Sequence, residues 1–246
     1  DIVEKHFLRW YLRLVRDRVL ALRVVNRDEA AAMVRAWGFP EEKILVIPSF
    51  YLDFSVFRDQ GTPKKYDVMY CGRLVRHKGI LLFLDAVAEL NRRRPGVTAA
   101  VIGEGEMREE AGRRARELGM EKQVAFLGWI KDLGALSRTY NEARVFAMTS
   151  CYEGGPRTAL EAMACGVPVV SGRAGVMREV LHEGVNGYWA EWAPASFAHG
   201  MEWLLLNEEN RRKAGKAARE SVAKFERVKM IGEYARAYRK LLGIPG

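Results

Sequence analysis

Short apolar runs alternate with amphipathic stretches along most of this chain. Tyr66–Tyr70, Val97–Ile102, Gln123–Phe126, Val145–Met148, Val167–Ser171 and Tyr188–Ala190 read as strands. Between them, Gly79–Arg93, Met107–Leu118, Asp132–Glu142, Arg157–Ala164 and Val176–His182 have the 3.6-residue apolar period of helices. Continuously apolar strands must be covered on both faces. The alternation therefore predicts an α/β fold: a doubly wound parallel sheet with helices on both faces. Ligands in such folds bind beyond the carboxyl ends of the strands. The loops near 72–79, 103–106, 128–131, 151–157 and 172–177 are the places to look for chemistry.

The flanks follow other patterns. Asp1–Leu20 reads as a helix with Phe7, Leu8, Tyr11, Leu12, Leu14 and Val15 among its apolar positions and Arg9, Arg13, Arg16 and Arg18 between them. Two readings stay open: a core-facing helix of a domain whose earlier part is absent, or a basic amphipathic surface for anionic lipid. Ala21–Val25 reads as a strand, Glu29–Trp37 as a helix capped by Asp28 and ended by Gly38, and Ile44–Ile47 as a second strand. That fragment is too small to bury its own faces, so it is expected to be the tail of a larger domain. Residues 49–65 mix Asp, Gly, Pro and Lys without period and read as a linker. Ala195–Leu242 reads as a helical tail broken near Asn207–Glu209, with Phe225, Met230, Tyr234, Tyr238 and Leu241 as its apolar stripe.

Composition narrows the function classes. The 246 residues are 49% hydrophobic and 29% charged, the balance of an ordinary globular protein. No apolar run reaches the roughly 18 residues that span a bilayer. The first 24 residues are studded with Arg and lack a small-residue cleavage site, so no secretory leader is expected there. The formal charge is +9. It fits a solvated Arg-rich surface, an anionic ligand or an anionic membrane surface. Nucleic acid is not expected as a partner: the charges are scattered, and no zinc-finger, RRM or basic-zipper pattern occurs. Cys71, Cys151 and Cys165 fit neither a disulfide framework nor a metal site, and the four histidines show no metal-ligand spacing.

Four loops carry candidate chemistry. Cys71–Gly79, CGRLVRHKG, follows a strand and opens a helix, whose N–H groups and partial positive charge suit phosphate. Arg73 can fork onto phosphate oxygens, with Lys78 a point charge beside it; the bland alternative is surface charge on a loop. No Walker A pattern is present. Gly103-Glu104-Gly105-Glu106 begins like a dinucleotide fingerprint, but the third glycine position is Arg108 and the fingerprint fails. Gly103 and Gly105 instead allow a sharp turn or a close approach to a ligand. After the strand ending at Phe126, Trp129 and the exposed backbone beside it either hold a flat base, or Trp129 packs on its own helix. The fourth loop, within Cys151–Pro168, holds Glu153 and Glu161 with seven residues between them. Carboxylates accept hydrogen bonds from vicinal hydroxyls, so two acids at different depths suit two polyols. Pro156 at the first helical position, with Gly154 and Gly155 before it, leaves the helix N–H groups facing the cleft. Thr158 shares the face of Glu161. A hydrolase pair is less convincing, because no group tuning a raised pKa is visible.

GRLVRHKG, VIGEGEM, VAFLGWI and YEGGPRTALEAMACGVPVV, followed by EVLHEGVNGYW, resemble glycosyltransferase family four over nearly the whole chain from about Leu20. The resemblance implies a GT-B fold, with Rossmann-like domains, and a retaining transferase that uses a nucleoside diphosphate sugar and needs no cofactor and no metal. It implies that Arg73 and Lys78 hold the diphosphate, that Glu161 takes the ribose hydroxyls and that Glu153 contacts the transferred sugar. Gly72, Gly103, Gly105 and the backbone around Gly154–Arg157 would support the donor, with Trp129 and Ile130 near the base and Glu179 supporting the site. Arg73, Lys78 and Glu153 are the residues it implies for catalysis. Arg157 stands where a familiar variant has Asn, and Ala174–Glu179 departs from the usual Gly-Gly-Val-Pro-Glu.

The family uses two Rossmann-like domains. Residues 1–48 are therefore expected to be the terminal elements of the acceptor domain, 49–65 the interdomain linker, 66–224 the nucleotide-sugar-binding domain, and 225–246 a helix packing back toward the acceptor domain. On that expectation most of the acceptor domain is missing and the chain is inactive alone. The acceptor would be lipid-linked or a saccharide. The protein would be cytoplasmic, peripheral at the inner face of the membrane.

Overall fold

The computed structural model describes residues 2–245; Asp1 and Gly246, at the outer edges of the first and last expected helices, lie outside the described residues. The chain opens with α1 (Ile2–Val15), β1 (Leu22–Val24), a π-turn over Arg27–Ala31 running into α2 (Ala32–Ala36), and β2 (Ile44–Val46). β1 and β2 pair in parallel as a separate two-stranded sheet. Leu12, Val24, Ala31, Val34 and Phe39 form a small core beneath it. Phe7 (64%), Trp10 (59%) and Leu14 (50%) remain exposed on α1. One residue differs from expectation here. The cap of the turn before α2 is Asn26 rather than Asp28: its side-chain oxygen accepts from the N–H groups of Glu29 (3.1 Å) and Ala30 (2.7 Å). Asp28 lies inside the turn because the helix begins two residues earlier than the apolar period indicates.

The stretch 49–65 is closely packed. Phe50, Leu52 and Phe57 are buried, and Leu52 exchanges backbone hydrogen bonds with Phe225 (2.8 Å) and Arg227 (2.9 Å). Its apolar residues are too widely spaced to register as an element, yet they anchor it to the core.

The main unit alternates strand and helix: β3 (Tyr66–Cys71), α3 (Ile80–Arg93), β4 (Ala99–Ile102), α4 (Arg108–Glu117), β5 (Val124–Gly128), α5 (Leu133–Asn141), β6 (Ala143–Met148), α6 (Arg157–Ala164), β7 (Val169–Ser171), α7 (Met177–Val180) and β8 (Gly187–Trp189). All six strands are parallel, in the order β5-β4-β3-β6-β7-β8. Side chains alternate across the pleat. In β3, Val68 and Tyr70 join one core with Phe83, Leu84 and Val87 of α3, while Met69 and Cys71 join the other with Leu160 and Met163 of α6. Both faces are thus covered, as the doubly wound expectation requires. Phe83, Phe146 and Phe197 are completely buried, each worth about 1.5–3 kcal/mol over exposure.

The tail contains α8 (Pro194–Leu206), α9 (Glu208–Val222) and α10 (Arg227–Leu242). Asn207 caps α9, and Glu226 caps α10 after a second break over 223–226 that the uninterrupted apolar stripe conceals. From α10, Tyr234 donates a hydrogen bond to the Pro48 carbonyl and accepts one from Arg23 (3.0 Å). The last helix therefore touches the first α/β fragment. No helix among the described residues is long and apolar enough to cross a membrane.

Candidate functional site

The winding reverses between β3 and β6: crossovers run outward from this pair in both directions. The loops leaving their carboxyl ends must then diverge, and a crevice opens between them. Here it is a cleft of about 230 Å³ lined by Tyr70, Gly72, Arg73, Lys78, Trp129 and residues 147–150, 153 and 155–158.

The two loops are stitched together below the cleft. Thr149 donates through Oγ1 to the carbonyls of Gly79 (2.8 Å) and Lys78 (3.2 Å). Cys151 N–H donates to the His77 carbonyl at 3.1 Å. Thr158 Oγ1 donates to the Cys71 carbonyl at 2.9 Å, tying the first turn of α6 to the end of β3. The second loop closes the floor. Gly103 N–H donates to the Gly128 carbonyl (2.8 Å), and Leu74 N–H to the Glu104 carbonyl (2.9 Å). Gly103 has φ +135°, and a Cβ there would stand 1.9 Å from the Gly72 carbonyl oxygen; at Gly105 it would stand 2.4 Å from that of Leu74. Both glycines let backbone approach closely, but the partner is the first loop rather than the cleft itself.

The charged residues come in pairs. Lys78 Nζ donates to Glu153 Oε1 at 2.5 Å, with both side chains mostly buried. Arg157 Nε donates to Glu161 Oε1 at 2.8 Å across one helical turn, and Tyr140 OH donates to Glu161 Oε2 at 3.1 Å. The Glu161 side chain is 4% exposed and the Arg157 side chain 54%. Arg157 therefore lines the cleft and Glu161 lies beneath it. Burial pushes the Glu161 carboxyl above its ordinary 4.5, against the lowering pull of Arg157 and Tyr140. Burial also pushes the neighbouring Cys71 thiol up to about 12, so it stays a neutral packing group. Arg73 is exposed and makes no ion pair among the described residues. Pro156 precedes α6 without a side-chain cap, so the first N–H groups of that helix are unclaimed by any capping side chain.

The remaining expected residues lie around this centre. Trp129 is 58% exposed and lines the cleft. Ile130 packs into the core behind it. The Gly154 carbonyl accepts from Asn26 Nδ2 at 3.2 Å. Glu179 faces the same way, accepting from Arg27 N–H at 2.8 Å, and Gly175 N–H donates to Glu29 at 3.0 Å. Gly154, Gly175 and Glu179 thus join the site loops to the first α/β fragment. Two tyrosines at the site carry no functional signal in the sequence. Tyr70 lines the cleft and donates to the Arg73 carbonyl at 3.2 Å, and Tyr140 holds Glu161. Each sits at an apolar-phase position of its element, and nothing in the pattern sets it apart from core. No group of three or more His, Cys, Asp or Glu placed to hold a metal occurs among the described residues.

Comparison with known proteins agrees with this architecture. The chain is 30% identical over 225 residues to a D-inositol 3-phosphate glycosyltransferase of Segniliparus rotundus, covering 85% of this chain and 49% of that protein. It is 31% identical over 169 residues to the lipopolysaccharide core biosynthesis glycosyltransferase LpsE of Rhizobium meliloti, covering 68% of this chain and 48% of that protein. The chain thus spans about half the length of either relative. Among solved structures, HepE of Anabaena in complex with UDP and glucose superimposes with a TM-score of 0.83 at 22% identity, over 96% of this chain and 67% of that one. The parallel sheet and its flanking helices are those of GT-B structures. A sequence model described as glycosyl transferases group 1 matches residues 54–221, more than half of the chain, and the chain belongs to that family.

Proposed function

We propose that the cleft holds a nucleoside diphosphate sugar and that the chain is the donor-binding half of a retaining glycosyltransferase. The observation that carries this reading is the grouping of unpaired Arg73, the Lys78–Glu153 pair and the uncapped end of α6 around one cleft. A diphosphate needs cationic groups and free N–H donors together. A polyol needs carboxylate acceptors beside them. This cleft offers both within one loop pair. HepE, of the same fold, binds UDP and glucose, which supports the ligand class.

Arg73 and Lys78 lie on the diphosphate, and their charge stabilises the leaving group as the bond to the sugar breaks. They and the end of α6 supply that charge without a metal ion. Glu153, held by Lys78, accepts from hydroxyls of the transferred sugar. Glu161 accepts from the ribose once the exposed Arg157 swings aside, and Trp129 lies along the base. The acceptor, a saccharide or a lipid-linked one, approaches from the side of Asn26–Glu29, where the first α/β fragment meets Gly154 and Gly175. Exposed Phe7, Trp10 and Leu14 beside Arg9 and Arg13 on α1 fit a membrane-surface acceptor.

A thermal-shift screen of UDP, GDP, ADP and their sugars tests the donor reading. A ligand at about 100 times its Kd stabilises the fold by about 2.7 kcal/mol, which moves the melting temperature by about 5–10 °C. One nucleotide is expected to give that shift, and Arg73→Ala and Glu161→Ala to remove it. A shift indifferent to both substitutions, or none with any nucleotide, overturns the reading.

A further inference from the structure

A larger depression lies at the other end of the same strands. It has a volume of about 650 Å³ and is walled by the loop before β3, the start of β6, the turn before β7 and the first turns of α9. Six cations line it, Lys64, Arg144, Arg211, Arg212, Lys216 and Arg219, against two carboxylates, Asp59 and Glu208. Its volume falls within the roughly 300–1,000 Å³ of small-molecule sites.

Arg211 is the centre of this cavity. The residue is only 7% exposed. Its guanidinium makes no hydrogen bond among the described residues, and its one ion-pair contact is Glu208 at 3.7 Å, beyond hydrogen-bond reach. A buried Arg is expected to be paired, because taking the charge out of water without a partner is costly. Glu208 is also shared: Arg212 holds it at 3.0 Å. Around Arg211 the cations crowd one another. Lys64 donates to the Asn141 carbonyl at 2.8 Å. Its pKa is lowered by desolvation, with Arg211 and Arg144 adding to the effect and Asp59 opposing it. Arg219 is engaged elsewhere, on the carbonyls of Phe57 and Ala164 and over the Phe54 ring. Lys216 is exposed and makes no ion pair among the described residues.

We propose that this cavity is a second ligand site, for a small anion bearing one or more phosphate groups. The guanidinium fork of Arg211 suits two phosphate oxygens, and Lys64, Arg144 and Lys216 supply the surrounding charge. Asp67 stands behind the lining, 3.7 Å from Arg144; the remaining excess of three cations over carboxylates calls for a multiply charged ligand rather than a single carboxylate. The site is independent of the donor reading: β6 alone separates it from the donor cleft by roughly 15–20 Å of strand.

Titration of inorganic pyrophosphate into the chain by calorimetry tests this. The Arg73→Ala background removes the main contact of the donor cleft. In it, one pyrophosphate per chain is expected to bind saturably. Arg211→Gln and Lys216→Gln are each expected to weaken that binding by roughly tenfold, the size of a lost charge-assisted hydrogen bond. Arg211→Lys should recover part of the loss. Lys216 is exposed, so its substitution carries the test even if Arg211→Gln fails to fold. Pelleting with phosphatidylglycerol but not phosphatidylcholine vesicles, lost in Lys216→Gln, assigns the phosphate to a lipid headgroup. Pyrophosphate binding without pelleting assigns it to a free phosphorylated metabolite. Loss of all pyrophosphate binding in Arg73→Ala, or unchanged binding in a folded Arg211→Gln/Lys216→Gln chain, overturns the proposal.

Discussion

The two ends of the parallel sheet are both basic, but they are built differently. At the carboxyl end, Lys78 stands 2.5 Å from Glu153 and Arg157 stands 2.8 Å from Glu161, while Arg73 makes no ion pair among the described residues. At the amino end, Arg211 comes no nearer than 3.7 Å to a carboxylate, and six cations face two acids. Interleaved charges offer acceptors for hydroxyls as well as donors for phosphate. Massed cations offer charge alone. The carboxyl end is therefore suited to a ligand part sugar and part phosphate, and the amino end to a compact anion. Raising the salt concentration should weaken the second more steeply than the first, since only charge holds its ligand.

The largest effect should come from breaking the joint that makes the carboxyl-end cleft. Gly79 has φ +71°, and a Cβ there would lie 2.1 Å from the Thr149 carbonyl oxygen. Gly79→Ala combines a left-handed conformation with a backbone clash, at a cost of about 3 kcal/mol. Urea denaturation should register it, with nucleotide binding lost and pyrophosphate binding at the amino end retained. Loss of both would mean the two ends are one cooperative structure rather than two sites.

Next is Arg73→Ala. Arg73 is exposed and makes no ion pair among the described residues, so its removal should leave stability within about 0.5 kcal/mol. Nucleoside diphosphate affinity should fall by roughly 30-fold, about 2 kcal/mol for a charge-assisted contact. Calorimetry with the nucleotide found in the thermal screen reads both numbers. A smaller fall than that caused by Lys216→Gln would reverse the assignment of the two ends.

Arg157→Ala isolates the pairing itself. Glu161 would keep Tyr140 but lose its cation while remaining buried. A cost of about 1–2 kcal/mol at neutral pH is expected. Arg157 is itself half exposed, which keeps the cost below that of breaking a fully buried pair. No change in the urea midpoint would mean that the pair is a surface contact and that Glu161 is held by Tyr140 alone.

Much of this was legible in the sequence, for a physical reason. Buried parallel strands must be apolar throughout and their covering helices must be amphipathic, so β3 to β8 and α3 to α6 announce themselves by period. The loops that hold Arg73, Lys78, Glu153 and Arg157 follow from the rule that ligands meet such sheets at the carboxyl ends. What stayed hidden depends on contacts between distant positions. Asn26 outcompetes Asp28 as a cap because of where the first turn begins. Tyr140 reads as core, yet its hydroxyl reaches a carboxylate 21 positions away. The pairing of Arg157 with Glu161 is four residues apart and could have been read from helical spacing, but the burial beneath it could not. The amino-end cavity gathers residues from 59 to 219, and no local pattern marks it.

The smallest effect concerns protonation, and it separates the two ends by kind. Glu161 is an acid whose pKa in the fold lies above its ordinary 4.5, chiefly because burial disfavours the charged form. The folded chain then binds that proton more tightly than the unfolded chain. Its stabilising contribution is complete below about pH 4.5 and is lost as pH rises through the raised value. Glutamine at this position has no proton to lose. The melting temperature of Glu161→Gln relative to the parent should therefore rise between pH 4.5 and 7.5, and Arg157 and Tyr140 limit that rise because they oppose the effect of burial. A relative stability that falls with pH would mean that the Arg157 pair outweighs burial. Glu161 would then be a carboxylate held ionised by its partner, and the carboxyl end would owe its ligand preference to charge, as the amino end does.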